Sequence, residues 1–276
     1  RDSYLGGGGD DLDGDEPVHP DSPATRRAFA VAFAGRIYRA LARGEITFGS
    51  PFFFNAGTQK ARVASCFLIA AGDSCESIHH ALAQAATAMS GGGGIGVSWH
   101  GVRPRGAYIA GSGGYSTGVP SWWLEYTQVR KHVNQGGNKR PGAVAMYHDF
   151  EHPDVETLLT MPRDSSHLAA AGENTPEIQT GLCLAQPYFD LFDRDAEYAL
   201  LPPHLHPALV ALTGAEWNAE FWRLQQHYAA PERRGLVTWI RARAVEELLY
   251  RTVSEKGFPY TFFRDNVAAQ CNLSLP

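Results

Sequence analysis

The stretch that decides the fold class runs Val63-Ala64-Ser65-Cys66-Phe67-Leu68-Ile69-Ala70, then Asp73-Ser74-Cys75-Glu76-Ser77-Ile78 on to Met89. It closes with Gly91-Gly92-Gly93-Gly94 and Ile95-Gly96-Val97-Ser98-Trp99. The first segment is apolar, partly β-branched and short, which suits a buried strand. Asp73 to Glu76 resembles a capping box with Asp73 as the cap, and Ile78, Leu82 and Met89 mark the apolar face of the helix that follows. After the glycine loop, Ile95 to Trp99 reads as a second strand. Strand, helix and strand in succession predict an α/β architecture, with function in the loops.

Outward from this stretch the alternation continues. Upstream, Ser22-Pro23 opens a helix with a proline at its first position, Phe29, Phe33, Ile37 and Leu41 recur along one face, and Gly44 ends it. Downstream come a second glycine-rich loop, Gly111 to Gly118, and a helix with Trp122, Tyr126, Val129 and Val133 on one face. A basic turn, Gln135-Gly136-Gly137-Asn138-Lys139-Arg140-Pro141-Gly142, leads into a strand at Ala143 to Tyr147. Residues 185–253 read as mostly helical, with Ile240, Ala244 and Leu248 on one stripe. Residues 1–22 are rich in Gly and Asp and read as an acidic linker; Asp11, Asp13 and Asp15 have calcium-loop spacing, but Glu16 stands where the turn glycine is required.

The 276 residues suffice for a core without disulfide staples. A net charge of −5 argues against non-specific nucleic-acid binding. The longest uncharged run, Ser77 to Val102, is broken by His79, His80, Gln84 and four glycines, so no membrane helix is predicted. Cys66, Cys75, Cys183 and Cys271 are widely spread with no C-x-x-C pair, which fits a reducing compartment and predicts a cytoplasmic protein.

Several segments carry chemistry. Gly91, Gly93 and Gly96 satisfy G-x-G-x-x-G, but a helix precedes and a strand follows, the reverse of a dinucleotide site. The glycine run serves either a ligand-facing loop or plain loop packing. In the basic turn, two glycines free backbone amides beside Lys139 and Arg140, a pattern suited to an anion or to a solvated turn. His148 and His152 with Asp149, Glu151 and Asp154 resemble a metal cluster, yet Pro153 interrupts any helix that would align them. Cys66 alone reads as an inert buried thiol, and His79-His80 as a surface pair.

Taken together, the chain resembles the large subunit of class I ribonucleotide reductase. The segments that carry the resemblance are Ser50-Pro51-Phe52-Phe53-Phe54-Asn55-Ala56-Gly57-Thr58, Ser65-Cys66-Phe67-Leu68, Asp73-Ser74-x-Glu76-Ser77-Ile78 and Gly93-Gly94-Ile95-Gly96. They continue with Arg103-x-x-Gly106-x-Tyr108-Ile109, Gln135 to Ala143, His152-x-Asp154 and Gly257-x-Pro259-Tyr260-x-x-x-x-Asp265. The resemblance implies a ten-stranded α/β barrel of the ribonucleotide-reductase and glycyl-radical type, built of two antiparallel five-stranded halves and preceded by a helical segment. This chain would hold the first half at residues 61–276, with residues 23–60 ending the helical domain.

The family reduces the 2′-hydroxyl of ribonucleoside diphosphates by thiyl-radical chemistry. By position, Ser50, Ser65, Gly93 and Gly94 match substrate-binding residues and Cys66 a redox cysteine that forms a disulfide. Asp73, Ser74, Cys75, Arg103, Ala110 and Gly111 match the site for a deoxynucleoside triphosphate effector at a homodimer interface. Gln135, Gly136, Gly137, Asn138, Lys139 and Arg140 match the loop that relays effector identity to the substrate. No cofactor or metal is expected on this chain; the radical would come from a metal-containing small subunit, ATP or dNTP would act as effectors, and thioredoxin or glutaredoxin would be the reductant.

The sequence also departs from the family. Ser90 stands where a lysine is usual and Asn134 where an aspartate is. The catalytic block Asn-Leu-Cys-x-Glu should lie beyond Asp265, and Asn272-Leu273-Ser274 mimics it with Ser in place of Cys. The chain is therefore read as a fragment, the alternative being a non-catalytic nucleotide-binding or regulatory paralogue.

Overall fold

The computed structural model describes residues 23–59, 62–64, 66–133, 142–163 and 179–271. The acidic segment 1–22, Ser65, the turn from Asn134 through Gln135 to Arg140 and Pro141, and the terminal block 272–276 lie outside the described residues. The chain divides into two compact units, residues 1–49 and 50–276.

In the first unit, α1 (Pro23–Ala42) begins on proline, as expected, because that residue has no amide to leave unpaired. Phe29 and Phe33, one turn apart, stack at 6.0 Å. Gly44 turns the chain out at φ +71°.

The second unit opens with α2 (Ser50–Asn55) and is organised by five strands: β1 (Cys66–Ala70), β2 (Gly94–Ser98), β5 (Ala143–Asp149), β6 (Gln179–Leu184) and β9 (Tyr260–Phe263). They form one sheet in the order β1-β2-β5-β6-β9, every pair parallel. Parallel neighbours need a crossover. α3 (Cys75–Ser90) supplies it between β1 and β2, and α4 (Val119–Val133) between β2 and β5. A small hairpin of β3 (Tyr108–Ile109) and β4 (Gly114–Tyr115) precedes α4, and α5 (Val155–Thr160) follows β5.

Between β6 and β9 stand α6 (Gln186–Asp193), β7 (Glu197–Ala199), α7 (Pro207–Ala211), α8 (Gly214–Ala229), β8 (Trp239–Arg241) and α9 (Ala242–Lys256). This region is mostly helical, as expected, with one addition: β7 pairs antiparallel with β8. Ile240 therefore lies on a strand, and α9 buries Ala242, Val245, Leu249 and Thr252 instead of an Ala244–Leu248 stripe. α10 (Arg264–Gln270) leaves β9 directly.

The sheet's two faces differ because side chains alternate along each strand. One face carries Ile95, Val97, Val144, Met146, Leu182 and Leu184, all buried. Beside it α3 and α4 contribute Ile78, Leu82, Ala85, Met89, Trp123 and Tyr126 to the core. Each large apolar side chain buried there contributes about 1.5–3 kcal/mol. Trp123, not Trp122, is the tryptophan that α4 buries. A second cluster around Phe150, Tyr188, Tyr198, Trp217 and Phe221 packs α6, α8 and α9 together.

The other face carries Gly94, Gly96, Ala143 and Ala145 toward its amino end, where the described residues leave it partly open, and Gly181 and Asp149, both buried, toward its carboxyl end. This overturns the expectation of a buried first strand: Leu68 is 83% exposed and Cys66 and Phe67 are exposed too. β1 is an edge strand: Cys66 and Leu68 lie on the open face, while Phe67, opposite Ile95, lies on the helix side at the edge of the sheet.

Candidate functional site

Register brings the expected thiol and one expected glycine together. Cys66 pairs with Gly94, and Gly94 with Ala143; one step along that face, Leu68 pairs with Gly96, and Gly96 with Ala145. The result is a thiol beside a floor of glycine and alanine. Tyr147 lies farther along the same face with its ring across Gly181, where a Cβ would collide with it. Cys183 pairs with Asp149 at the carboxyl end. Burial first, then the Asp149 charge, push the Cys183 thiol well above its ordinary value.

Gly93 is placed differently from Gly94. It is buried, and a Cβ there would meet the Phe67 ring at 2.9 Å and the Ala88 carbonyl at 3.0 Å, so glycine lets the end of α3 close on β1. Ser50 opens α2 and is exposed. Asn55 of that helix donates to the Arg62 carbonyl at 2.8 Å, and the Arg62 guanidinium donates to Thr87 O at 2.8 Å and Ser90 Oγ at 2.9 Å. A cation thus stands beside Ser90 and the glycine loop, supplied by a residue 28 positions upstream that no local motif singles out.

Four of the expected effector residues, Asp73, Ser74, Cys75 and Arg103, meet at the start of α3. Ser74, not Asp73, is the N-cap: its hydroxyl accepts from the Ser77 amide at 3.0 Å, and Ser77 Oγ accepts from the Gly72 amide at 3.1 Å. Asp73 is drawn away by Arg103. The guanidinium donates through Nε to both carboxylate oxygens (3.0 and 2.9 Å) and places Nη2 2.8 Å from Oδ2, while the Arg103 amide donates to Oδ1 at 2.9 Å. Nη1 donates to the Tyr108 carbonyl at 2.9 Å, which ties the pair to β3. Cys75 Sγ lies 3.4 Å from His79 Nδ1, and His79 Nε2 lies 3.3 Å from Glu125 of α4. Ala110 and Gly111 are exposed in the turn between β3 and β4.

The His152-x-Asp154 motif proves to be a knot of backbone bonds. Asp154 accepts from the amides of Arg105 and Val119, and His152 Nε2 lies 2.8 Å from the Val102 carbonyl. Asp265, which ends the Gly257-x-Pro259-Tyr260 segment, accepts from the Gln186 amide at the start of α6, at 2.6 Å.

At the carboxyl ends of the strands, Arg264 Nη1 lies 3.3 Å from Asp149 and 3.7 Å from Glu151, and its guanidinium sits 4.4 Å from the Trp217 ring centre. Asp149, Glu151, His100, His206 and Arg264 share the lining of a cavity of about 20 Å³, the size of one water. Burial first, and then Asp149, push the Glu151 carboxyl well above its ordinary value, against the pull of Arg264. Two acids and a single arginine balance when one acid keeps its proton. His148 points to the opposite side of the sheet, against Trp123. Among the described residues no group of three or more His, Cys, Asp or Glu is arranged to hold a metal ion, and no helix is long and apolar enough to cross a membrane.

A comparison of families aligns the profile of the ribonucleotide reductase barrel domain with residues 64–275. The chain belongs to that family. The ribonucleoside-diphosphate reductase large subunit of African swine fever virus (isolate Tick/South Africa/Pretoriuskop Pr4/1996) is 33% identical over 249 residues, covering 86% of this chain and 32% of the relative. The large subunit from Vaccinia virus (strain Copenhagen) is 31% identical over 229 residues, 83% of this chain and 28% of the relative. That of Variola virus is 30% identical over the same coverage. The chain spans about a third of the length of the curated relatives it matches. Within the reductase barrel domain, then, the five parallel strands place a thiol and a small-residue floor on one open face.

Proposed function

We propose that this chain is part of a ribonucleoside-diphosphate reductase large subunit, which replaces the 2′-hydroxyl of a ribonucleoside diphosphate with hydrogen by thiyl-radical chemistry. The observation that carries this reading is the Cys66–Gly94 pairing above a floor of Gly96, Ala143 and Ala145, inside the segment matched by the barrel-domain profile. Such a floor leaves room for a sugar next to a thiol.

The reaction balances as a two-electron reduction. The sugar loses its hydroxyl as water, two thiols give up two hydrogens, and a disulfide forms between them; thioredoxin or glutaredoxin then exchanges its own thiols to restore the pair. Cys66 is one of the two thiols. The second thiol and the radical-bearing thiol are assigned to the remainder of the longer protein, with the radical supplied by a metal-containing small subunit. The hydroxyls of Ser50 and Ser65 donate to phosphate or ribose oxygens. A second, antiparallel set of five strands closes the barrel over the open face.

Asp73, Ser74, Cys75, Arg103, Ala110 and Gly111 receive a deoxynucleoside triphosphate at a homodimer interface, and Gln135 to Arg140 relay its identity. Arg103 suits the phosphates because Nη1 and Nη2 each keep a hydrogen beyond those given to Tyr108 and Asp73. Linkage then requires effector and substrate to change each other's affinity equally. The reaction is placed in the cytoplasm.

The test is Cys66→Ser in the full-length protein, with turnover followed under a thioredoxin-type reductant. Turnover should be lost from the first cycle onward, because one of the two reducing thiols is missing; an unimpaired steady state removes Cys66 from the mechanism. The second reading, a non-catalytic nucleotide-binding paralogue, is favoured by Ser274 standing where the family has its radical cysteine. It requires dNTP binding with no reduction in the wild type.

A further inference from the structure

We infer that Asp154, with His152, is a positioning residue for the effector hairpin, fixing both roots of residues 103–118 so that Arg103 and the Ala110-Gly111 turn are presented in one geometry. This rests on the effector reading given above.

Asp154 is 7% exposed and occupies the N-cap position of α5, where a local rule has its carboxylate capping that helix. It makes no such bond. Its oxygens instead accept from the Arg105 amide at 3.1 and 3.3 Å and from the Val119 amide at 3.0 Å. Val119 is the first residue of α4, whose amide has no partner within its own helix. The carboxylate therefore caps a helix that starts 35 residues earlier in the chain. A negative group is also favoured at that helix end by the aligned peptide dipoles.

Gly118 makes the approach possible. It sits at φ +80°, and a Cβ on it would come 2.7 Å from both Asp154 Oδ2 and the Arg105 amide nitrogen. His152 completes the anchor. Its Nδ1 accepts from the Asp154 amide at 3.1 Å, so the ring proton is on Nε2 and is donated to the Val102 carbonyl at 2.8 Å. Three backbone points, Val102, Arg105 and Val119, thus hang from one motif at the end of β5.

Between those points the hairpin is internally stiff. Gly106 donates to Ser116 O and Ser116 to Ala107 O, each at 2.8 Å, and Arg103 Nη1 reaches the Tyr108 carbonyl. Displacing the roots moves the whole piece, and Arg103 moves with Val102 because they are adjacent. Nothing in this linkage touches Cys66, Gly94 or Ala143, so the substrate side should not feel it directly.

The experiment compares the full-length wild type with Asp154→Asn, in which one accepting oxygen becomes an NH2 facing an amide. Calorimetric affinity for dTTP should fall about tenfold, because the ligand must then select the ordered geometry from a hairpin loosened by an unpaired buried amide. Affinity for CDP without effector should stay within about twofold, and the amides of residues 105–118 should exchange hydrogen faster. Thr252→Val, which removes a buried hydroxyl bonded to the Leu159 carbonyl, is the control for general destabilisation and should leave dTTP affinity unchanged. Wild-type dTTP affinity in Asp154→Asn, or an equal loss for CDP and dTTP, overturns the inference. If the variant does not fold, the wild type still decides: slow exchange at Arg105 and Val119 supports the anchor and fast exchange at either refutes it. A wild type that binds no deoxynucleoside triphosphate overturns the effector reading and the ligand half of this inference, while the exchange measurement still judges whether Asp154 holds the hairpin.

Discussion

Consider His148→Leu. The imidazole lies on the helix-covered face of β5, 1% exposed, with its ring 5.5 Å from that of Trp123. Neither ring nitrogen has a hydrogen-bond partner among the described residues. Burial, reinforced by nearby His152, pushes its pKa down from 6.5 to about 3. In the unfolded chain the same group titrates near its ordinary value, so below that pH the unfolded state takes up a proton that the folded state refuses. Stability is intact above pH 6.5 and is lost as the pH falls, until the folded group also protonates.

Each unit of difference is worth about 1.4 kcal/mol, which makes the loss about 3 kcal/mol at pH 4 and about 5 kcal/mol in full. Leucine cannot titrate and leaves no ring nitrogen unpaired. Urea unfolding of wild type and variant should therefore give curves that separate in the variant's favour by about 3 kcal/mol between pH 7 and pH 4. Parallel curves across that range would refute the reasoning, since a shared slope would have to come from other groups.

Glu151→Gln tests the opposite sign. A carboxyl raised by burial favours folding while it keeps its proton, so wild-type stability should fall as pH climbs from the ordinary carboxyl range toward the raised value, and the variant should lose that slope. Chemical denaturation on the alkaline side checks it, and an unchanged slope in the variant counts against a protonated Glu151. Arg103→Ala should weaken dNTP binding while costing the fold no more than about 1 kcal/mol, because its pairing with Asp73 is partly open to solvent. Calorimetry showing unchanged affinity would contradict the role given to Arg103.

The alternation of β1, α3 and β2 was readable because period and glycine punctuation are local signals, and β5 likewise began where its apolar run begins. Misreadings arose wherever a distant partner intervened. The cap of α3 shifts from Asp73 to Ser74 because Arg103, 30 residues on, captures the aspartate. β7 and β8 escaped notice because three-residue strands carry almost no periodicity and find each other across α7 and α8. At the site, the small residues at Gly94, Gly96, Ala143 and Ala145 alternate visibly, yet only strand order reveals that they share a face. Arg62 and Asp154 act through bonds to residues 28 and 35 positions away, and no local spacing announces either.

The open floor has a consequence for how this protein can change. On the covered side of the sheet, a larger side chain at Val97 or Met146 must displace neighbours in a filled interior, whose overpacking costs about 1–3 kcal/mol. Ala143 is exposed and Ala145 half-buried among the described residues, so a larger side chain there meets a less filled surrounding. Those two positions are therefore where the space beside the thiol can be resized one methyl group at a time with the least disturbance of the packed core, and an engineer seeking altered nucleotide selectivity could begin there.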